Sequence, residues 1–514
     1  MILFLLSNPV YSSVQKHFVG KPGRIYINVH WEGSKSSDTF NLYYYEKTLS
    51  NIADLYLNNI KEQKAVPDQN GFFTFIIYPN VQRGYLSLCK TSEFEKKSIY
   101  ILDKFLVTAN DSVTIDILND PNRQPKFPVY RASGTYTYLT GIYYYQDYLF
   151  KFTGRGSSKF TCRYRSDSAS AAIGSDAGLI ITEAGLLNKS NWYDSAAKTC
   201  IKILNGFRAK IGKPDYDILK IDFIGQYQIA KLYELISYFL VRKDSVFLHN
   251  LLETFKTKIY PFSPDLYYRN ALTFSKSISK YLLLREVLRE VAHSKKTFLN
   301  DKLDLFTIIN TKYKDELRDK ICTIYLVEYF DLIKNQDSIL KKALSAVKTP
   351  YCLNVLDWLQ SNLAKGQLAF DFSLPNEKGI LVTLDSFKGK VVFIDFWFEG
   401  CSACIEYYKT TISKVEDSFS KNKNIIFLTI SIDSEKNKWL KSLETGNYTS
   451  NVAINLYTAG KGSNHDVLKY YRVDGCPRPV LIDKSGKVFT SDHLLLRGGG
   501  VNKLVQTINE ALSM

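Results

Sequence analysis

No run of about 18 apolar residues, the length a helix needs to cross a bilayer, occurs in the 514-residue sequence, so no membrane span is expected. Cysteine is sparse: eight residues in all, too dilute for a small scaffold held by disulfides. Five of them, Cys89, Cys162, Cys200, Cys322 and Cys352, follow no spacing pattern and read as buried thiols. Only one Cys-x-x-Cys is present, Cys401–Cys404, and no second pair completes a four-ligand zinc site. No nucleic-acid-binding module is recognisable either. The net charge of +16, nearly all of it upstream of residue 366, therefore reads as a solvated basic face, although such a face also suits an anionic surface such as lipid headgroups. At the N-terminus, Ile2–Leu6 is apolar but lacks a positive flank and is shorter than the about 7–15 residues of a secretory core. The remaining reading is the stump of an export signal.

What is abundant is aromatic: 36 Tyr and 31 Phe, enough for large cores. The length predicts about three domains at roughly 100–200 residues each. Residues 20–125 predict a β-rich, sandwich-like domain. Runs such as RIYINVHWEG (24–33), FNLYYYEKTL (40–49), GFFTFIIYPN (71–80) and DSVTIDIL (111–118) are β-branched and aromatic, broken by Gly, Asn, Asp and Pro. Residues 135–365 predict a mainly helical region. Its first part is harder to place, and GRGSSKFTCRYRSDSASAAIGSD (154–176) reads as a polar loop. Beyond it, 215–243, 275–294, 315–335 and 347–366 carry apolar residues at three- and four-residue spacing. Residues 366–514 alternate strands and helices, with a hairpin at Asn376–Gly379, a buried strand VVFIDFWF (391–398), a helix over 402–420 and a helix over 434–444 opened by Ser434. They predict a mixed α/β sheet. The fold class expected is thus multidomain α+β.

Cys401-Ser402-Ala403-Cys404 is open to three readings: a redox pair, half of a metal site, or two neighbouring thiols. Its place between a strand and a helix favours the first. A sulfur at a helix N-terminus meets unpaired N–H groups and the positive end of the helix dipole, which favour thiolate. A second sulfur one turn on lies inward, within bonding reach, and can displace whatever the first has captured.

IDFWFEGCSAC (394–404) resembles the active-site run of thioredoxins, in which a strand ending Asp-Phe-Trp leads to Cys-x-x-Cys. LDSFKGKVVFIDFW (384–397) and YRVDGCPRPVLIDKSGKV (471–488) are similar to the TlpA-like, AhpC/TSA-type branch of bacterial envelopes. The resemblance covers 366–514 and implies a thioredoxin-like α/β domain there. VTANDSVTIDI (107–117) resembles, more loosely, the N-terminal β domain of Bacteroidetes-type envelope members, with Asn110 where Gly is usual. The resemblance implies Cys401, Cys404 and Asp395 as catalytic residues, Trp397, Gly400, Cys476 and Pro477 as the substrate surface, and Pro477 as the cis-proline facing the cysteines. It implies a cell-envelope or periplasmic location, protein disulfides or dithiols as substrates, and an upstream thiol donor or acceptor of electrons. No cofactor is expected.

Several positions depart from that pattern. Gly400 stands where the branch has Trp, which opens the surface beside the first cysteine. Tyr407 stands three residues after Cys404, where many members have Glu; the acid here is Glu406, turned about 100° around the helix. Asp395 becomes the better proton acceptor, with burial raising its pKa toward neutrality. Thr429 matches the place of the usual nearby Lys, so Asp395 is expected to lack that partner. Cys476 is a small packing residue, a third redox thiol, or a metal ligand beside Cys401 and Cys404, with His465 and His493 able to complete a Cu(I) or zinc site. The function expected is thiol–disulfide exchange. The alternative is a non-catalytic interaction or metal-handling protein using the Cys401/Cys404/Cys476 cleft. A peroxidase is disfavoured, because no Thr-x-x-Cys context precedes the first helix.

Overall fold

The computed structural model describes residues 22–31, 34–50, 53–57, 60–91, 98–118, 149–172, 183–242, 269–294 and 305–514, less 331–332, 334, 364–365, 463–464, 472, 474 and 493. The N-terminal apolar stretch, residues 135–148 and His493 lie outside them. The chain falls into two compact units. The first comprises 1–47, 59–174 and 198–216, and the second 48–58, 175–197 and 217–514.

The first unit is a sandwich of strands β1 (Ile25–Trp31), β2 (Thr39–Tyr45), β3 (Ile60–Ala65), β4 (Phe72–Ile77), β5 (Arg83–Thr91), β6 (Ser98–Thr108), β7 (Ser112–Leu118) and β8 (Leu149–Arg155). They form two four-stranded sheets in the orders β4-β1-β7-β8 and β3-β2-β5-β6. Side chains alternate across a strand, so Ile25, Ile27 and Val29 of β1 and Val113, Ile115 and Ile117 of β7 point inward. They share one core with Phe40, Leu42 and Tyr44 of β2 and Leu86 and Leu88 of β5. Strand β3, IKEQKA, has no apolar face to betray it. It is a sheet edge carrying Lys61, Glu62 and Lys64, a composition that discourages pairing with other chains.

Two features of this unit correct the sequence reading. β8 lies past the boundary predicted at residue 125, and Ser157–Ala172, read as a loop, is helix α1. The helix has few apolar anchors, which hides it. Phe160 packs on Phe105 at 5.3 Å between ring centres, and Arg163 pairs with Asp167 one turn on at 2.6 Å. Between β6 and β7, Asn110 turns the chain at φ 71°, where other L-residues except Gly lose about 1–2 kcal/mol. Asn110→Val is therefore expected to lower the urea midpoint by about that much stability, while Asn110→Gly stays within about 0.5 kcal/mol of the native chain.

The second unit opens with helices, as the spacing predicts. α2 (Glu183–Gly206) and α3 (Lys213–Arg242) run partly in each unit; α4 (Arg269–Phe274), α5 (Ile278–Ser294), α6 (Phe306–Lys312), α7 (Asp315–Tyr329), α8 (Gln336–Ala346) and α9 (Pro350–Leu363) follow. Pro350 fits the first turn of α9, where its missing N–H is not needed. The buried Asp319 carboxylate accepts from the N–H groups of Lys348 and Thr349 at 2.8 and 2.9 Å and fixes that start.

Residues 366–514 then build a mixed α/β domain. A small hairpin, β9 (Ser373–Pro375) and β10 (Leu381–Thr383), precedes β11 (Val391–Trp397), helix α10 (Ser402–Tyr407), a π turn (Tyr408–Ile412), α11 (Ser413–Ser418), β12 (Ile425–Ser431), α12 (Lys436–Glu444), β13 (Ile454–Tyr457), α13 (Asp466–Tyr470), β14 (Arg478–Ile482), β15 (Val488–Thr490), a second π turn (Leu494–Gly498) and α14 (Gly500–Ser513). The sheet order is β13-β12-β11-β14-β15, with β11 parallel to β12 and antiparallel to β14. All seven residues of β11 are buried, because apolar cores cover both of its faces. Val392, Ile394 and Phe396 enter one core; Val391 and Phe393 enter the other, with Tyr407, Leu496 and Leu504. Helix α12 begins at Lys436 with Glu435 as its cap residue, not Ser434. The chain first completes a turn in which the Asp433 carboxylate accepts from the hydroxyl of Ser431 at 2.7 Å.

Candidate redox site

The site forms where β11 ends and α10 begins. Trp397 is fully buried and stacks on Tyr448, with ring centres 4.5 Å apart and planes 12° apart. The next residues turn sharply, and three successive N–H groups are held: Glu399 by the Asp433 carboxylate at 3.1 and 3.2 Å, Gly400 by the Tyr448 hydroxyl at 2.8 Å, and Cys401 by the Phe398 carbonyl at 3.2 Å. Gly400 has φ +85°, and a Cβ there would meet nothing within 4 Å. The turn thus requires glycine for its backbone angle and leaves open space beside it.

Cys401 takes the N-cap position of α10, and its Sγ accepts from the Cys404 N–H at 3.1 Å. The two cysteines are disulfide-bonded, with Cα atoms 5.2 Å apart. Cys401 is 5% exposed and Cys404 1%, so an incoming sulfur reaches Cys401 first. The Cys476–Pro477 peptide is cis, and the Cys476 carbonyl oxygen lies 3.7 Å from Cys401 Sγ. Cys476 is partly buried against the cluster of Trp397, Cys401, Cys404, Trp439, Tyr448 and Tyr457; Pro477 is buried. Trp397 at the end of β11, the two cysteines at the helix start and Cys476 are thus brought together.

Asp395 is 2% exposed and its Oδ1 has no hydrogen-bond partner. By alternation it shares the β11 face of Val391 and Phe393, the face covered by Tyr407 and Leu496. Burial pushes its carboxyl up to about 8, against the pull of the Arg497 guanidinium and of the Phe396 and Arg478 N–H groups. Thr429 does sit opposite Asp395 on β12, with its hydroxyl donated to Asn455 at 2.8 Å. The lysine place on β12 is thus held by an uncharged residue, and the positive charge that acts on the carboxyl comes from Arg497 in the second π turn instead. Glu406 is exposed and Tyr407 buried, as their positions around the helix require.

His465 is placed elsewhere in role. Its Nδ1 accepts from the Val467 N–H at 3.2 Å and caps α13. Among the described residues, which do not include His493, no group of three or more His, Cys, Asp or Glu could hold a metal ion. Sequence reasoning missed Asp433, Tyr448 and Arg497. Asp433 had a usable signal, a carboxylate just past the C-terminal end of a strand beside the cysteine strand. Tyr448 and Arg497 had none, because their roles come from tertiary placement alone.

Residues 389–488 match the family model described as thioredoxin-like. That part of the chain is a thioredoxin-like domain, of the kind found in thiol–disulfide oxidoreductases. The chain is 29% identical over 126 residues to the thiol-disulfide oxidoreductase ResA of Geobacillus kaustophilus, a match spanning 24% of this chain and 67% of that relative. Among solved structures it is similar to the thioredoxin domain of a thiol-disulfide oxidoreductase from Bacteroides vulgatus, at 28% identity, 29% of this chain, 97% of that chain and a TM-score of 0.25. It is also similar to a thiol:disulfide interchange protein from a Bacteroides species, at 29% identity, 30% of this chain, 93% of that chain and a TM-score of 0.24. No helix among the described residues is long and apolar enough to cross a membrane.

Proposed function

We propose that the protein is an oxidoreductase that exchanges disulfides with protein clients through Cys401 and Cys404. The observation that carries this reading is the disulfide across one helical turn, with the less buried sulfur at the helix start and a buried acid on the adjoining strand. In the reducing direction, Cys401 thiolate attacks one sulfur of a client disulfide. A Cys401–client mixed disulfide forms and the client's other sulfur leaves as thiolate. Cys404 then gives its proton to the Asp395 carboxylate and attacks Cys401 Sγ. The Cys401–Cys404 disulfide forms, the second client thiolate leaves, and two electrons have passed to the client. An upstream dithiol donor restores the pair. The opposite direction uses the same atoms, and relative reduction potential sets which way exchange runs.

The open side of Gly400 and the partly exposed Cys476 make the surface on which an extended client chain rests, with the buried Trp397 and Pro477 supporting it from beneath. Cys476 packs there as a small apolar side chain. We place the protein in the cell envelope on the strength of the sequence resemblance, and assign the first 365 residues to positioning the redox domain or presenting clients. Trapping tests the reading. Cys404→Ser in the full chain is expected to accumulate mixed disulfides through Cys401, and mass spectrometry of the adducts names the clients. Absence of adducts on Cys401 under conditions that oxidise the native pair would overturn it.

A further inference from the structure

We propose that Tyr448 is a positioning residue for the nucleophile, its ring and its hydroxyl together clamping the turn that delivers Cys401 to the start of α10. The inference rests on the reading of Cys401 as the attacking sulfur. The phenol ring stacks on Trp397, the last residue of β11, with ring centres 4.5 Å apart and planes 12° apart. Its hydroxyl accepts from the Gly400 N–H at 2.8 Å, one residue before the nucleophile. One side chain thus grips both ends of the turn. Tyr448 is buried and belongs to the ring cluster that holds both cysteines.

Gly400 is the point at which the turn deforms most easily. It has φ +85° and nothing packed against the place of a Cβ, and glycine crosses freely between backbone regions closed to other residues. Drift there would carry Cys401 off the N-cap position, where its Sγ accepts from the Cys404 N–H at 3.1 Å. That contact at a helix start is what favours thiolate. Asp433 holds the Glu399 N–H with both carboxylate oxygens, at 3.1 and 3.2 Å, which leaves Gly400 to Tyr448. The clamp is itself anchored on the sheet. The hydroxyl of Thr449, the next residue, donates to Asn455 Oδ1 on β13 at 2.8 Å, and the Thr429 hydroxyl on β12 donates to the same oxygen at 2.8 Å. The Asn455 amide donates in turn to the carbonyls of Ser450 and Ala453, each at 3.3 Å. A reacting group held by neighbours that are themselves locked keeps its productive geometry. The charged groups beside the turn, Glu399, Asp433 and Lys438, stay in place in the variants that follow, so a change in Cys401 reactivity reads geometry.

The test uses the reduced full chain and two readouts. Iodoacetamide alkylation of Cys401 at neutral pH, resolved from the other thiols by peptide mass spectrometry, reports the nucleophile alone. Single-turnover reduction of a peptide disulfide separates the limiting rate from the half-saturating concentration. Tyr448→Phe keeps the ring on Trp397 and removes the hydroxyl. It is expected to slow alkylation and the limiting rate by about fivefold, the worth of one hydrogen bond, with half-saturation within about twofold of native. Tyr448→Leu removes both grips and is expected to slow both rates by about tenfold or more. Thr449→Val gives a smaller loss of the same kind, because the anchor weakens. A native alkylation rate in Tyr448→Phe, even with a lowered urea midpoint, would overturn the inference and leave Tyr448 as a packing residue. A raised half-saturation with an unchanged limiting rate would overturn it too, making Tyr448 a client contact. Failure of Cys404→Ser to trap clients on Cys401 would overturn the nucleophile itself, whatever Tyr448 does. If Tyr448→Leu does not fold, Tyr448→Phe and Thr449→Val decide the same question by the same two readouts.

Discussion

Serine at position 401 is expected to cut the rate of insulin disulfide reduction by about three orders of magnitude, to the uncatalysed level, a loss of about 4 kcal/mol of transition-state stabilisation. The loss is chemical. Serine is among the best N-cap residues, and its hydroxyl can accept the Cys404 N–H that the sulfur now takes at 3.1 Å, so α10 keeps its start. What disappears is an ionisable, polarisable nucleophile; an alcohol beside the same N–H does not ionise near neutral pH. The two cysteines should separate cleanly in this assay. Cys404→Ser retains the first attack and stalls at the mixed disulfide, whereas Cys401→Ser never forms one. A Cys401→Ser protein that keeps more than about a tenth of native turnover, a deficit of about 1.4 kcal/mol or less, would move the nucleophile to Cys404 or Cys476.

Asp395→Asn is expected to stabilise the protein at alkaline pH while slowing resolution. The ordinary value of the carboxyl is 3.8 and burial raises it to about 8 in the folded protein. Between those limits the native state holds a proton that the unfolded chain has released. Stability therefore falls as pH rises from about 4 to about 8, and levels off above. Across that window the loss accumulates at about 1.4 kcal/mol for each pH step of one. Against this, a buried amide without partners costs about 1–3 kcal/mol. The net gain at pH 8 is then about 2–4 kcal/mol, and near pH 4, where the aspartate is already neutral, the order reverses and the amide variant is the less stable by about 1–3 kcal/mol. Urea midpoints at about pH 4, 6 and 8 measure it. Equal midpoints for the two proteins at pH 8 would show that the carboxyl is not held neutral by its surroundings. A functional acid kept in an apolar site at the expense of stability is a common trade in enzymes.

The cysteine strand was legible because its chemistry is local: VVFIDFWF is apolar enough to be buried on both faces, and the motif after it fixes a turn and a helix start. At Asn110 the sequence offered only an asparagine where the loosely similar segment has Gly, and the structure supplies the reason, a φ of 71° between β6 and β7. Helix α1 was not legible, because its two aromatic anchors, Phe160 and Tyr164, pack on strands that include β8, which lies beyond the expected β-domain boundary. The helix predicted over 402–420 runs as α10, a π turn and α11. Its wider turn carries Thr410, whose hydroxyl donates to the Glu406 carbonyl at 2.7 Å, a bond that competes with the regular ladder. At the site, Cys401 and Cys404 could be singled out from their spacing, and Asp395 and Trp397 from the resemblance to thioredoxins. The neighbours that govern them could not: Tyr448 and Asp433 hold N–H groups of the turn from 34 to 48 residues away, and separations of that size leave no period in a sequence.

The bond from the Tyr407 hydroxyl to the Leu496 carbonyl ties the active-site helix to a segment almost a hundred residues downstream. Trimming or tagging strategies that treat the last two dozen residues as a passive lid would keep the CxxC, the acid and the cis-peptide loop, yet take away Leu496, Leu504 and Ile508, which fill the core beneath the cysteine strand. Such a shortened protein would lose the anchor of its active-site helix together with part of its core, and its defect would be one of folding before it was one of catalysis.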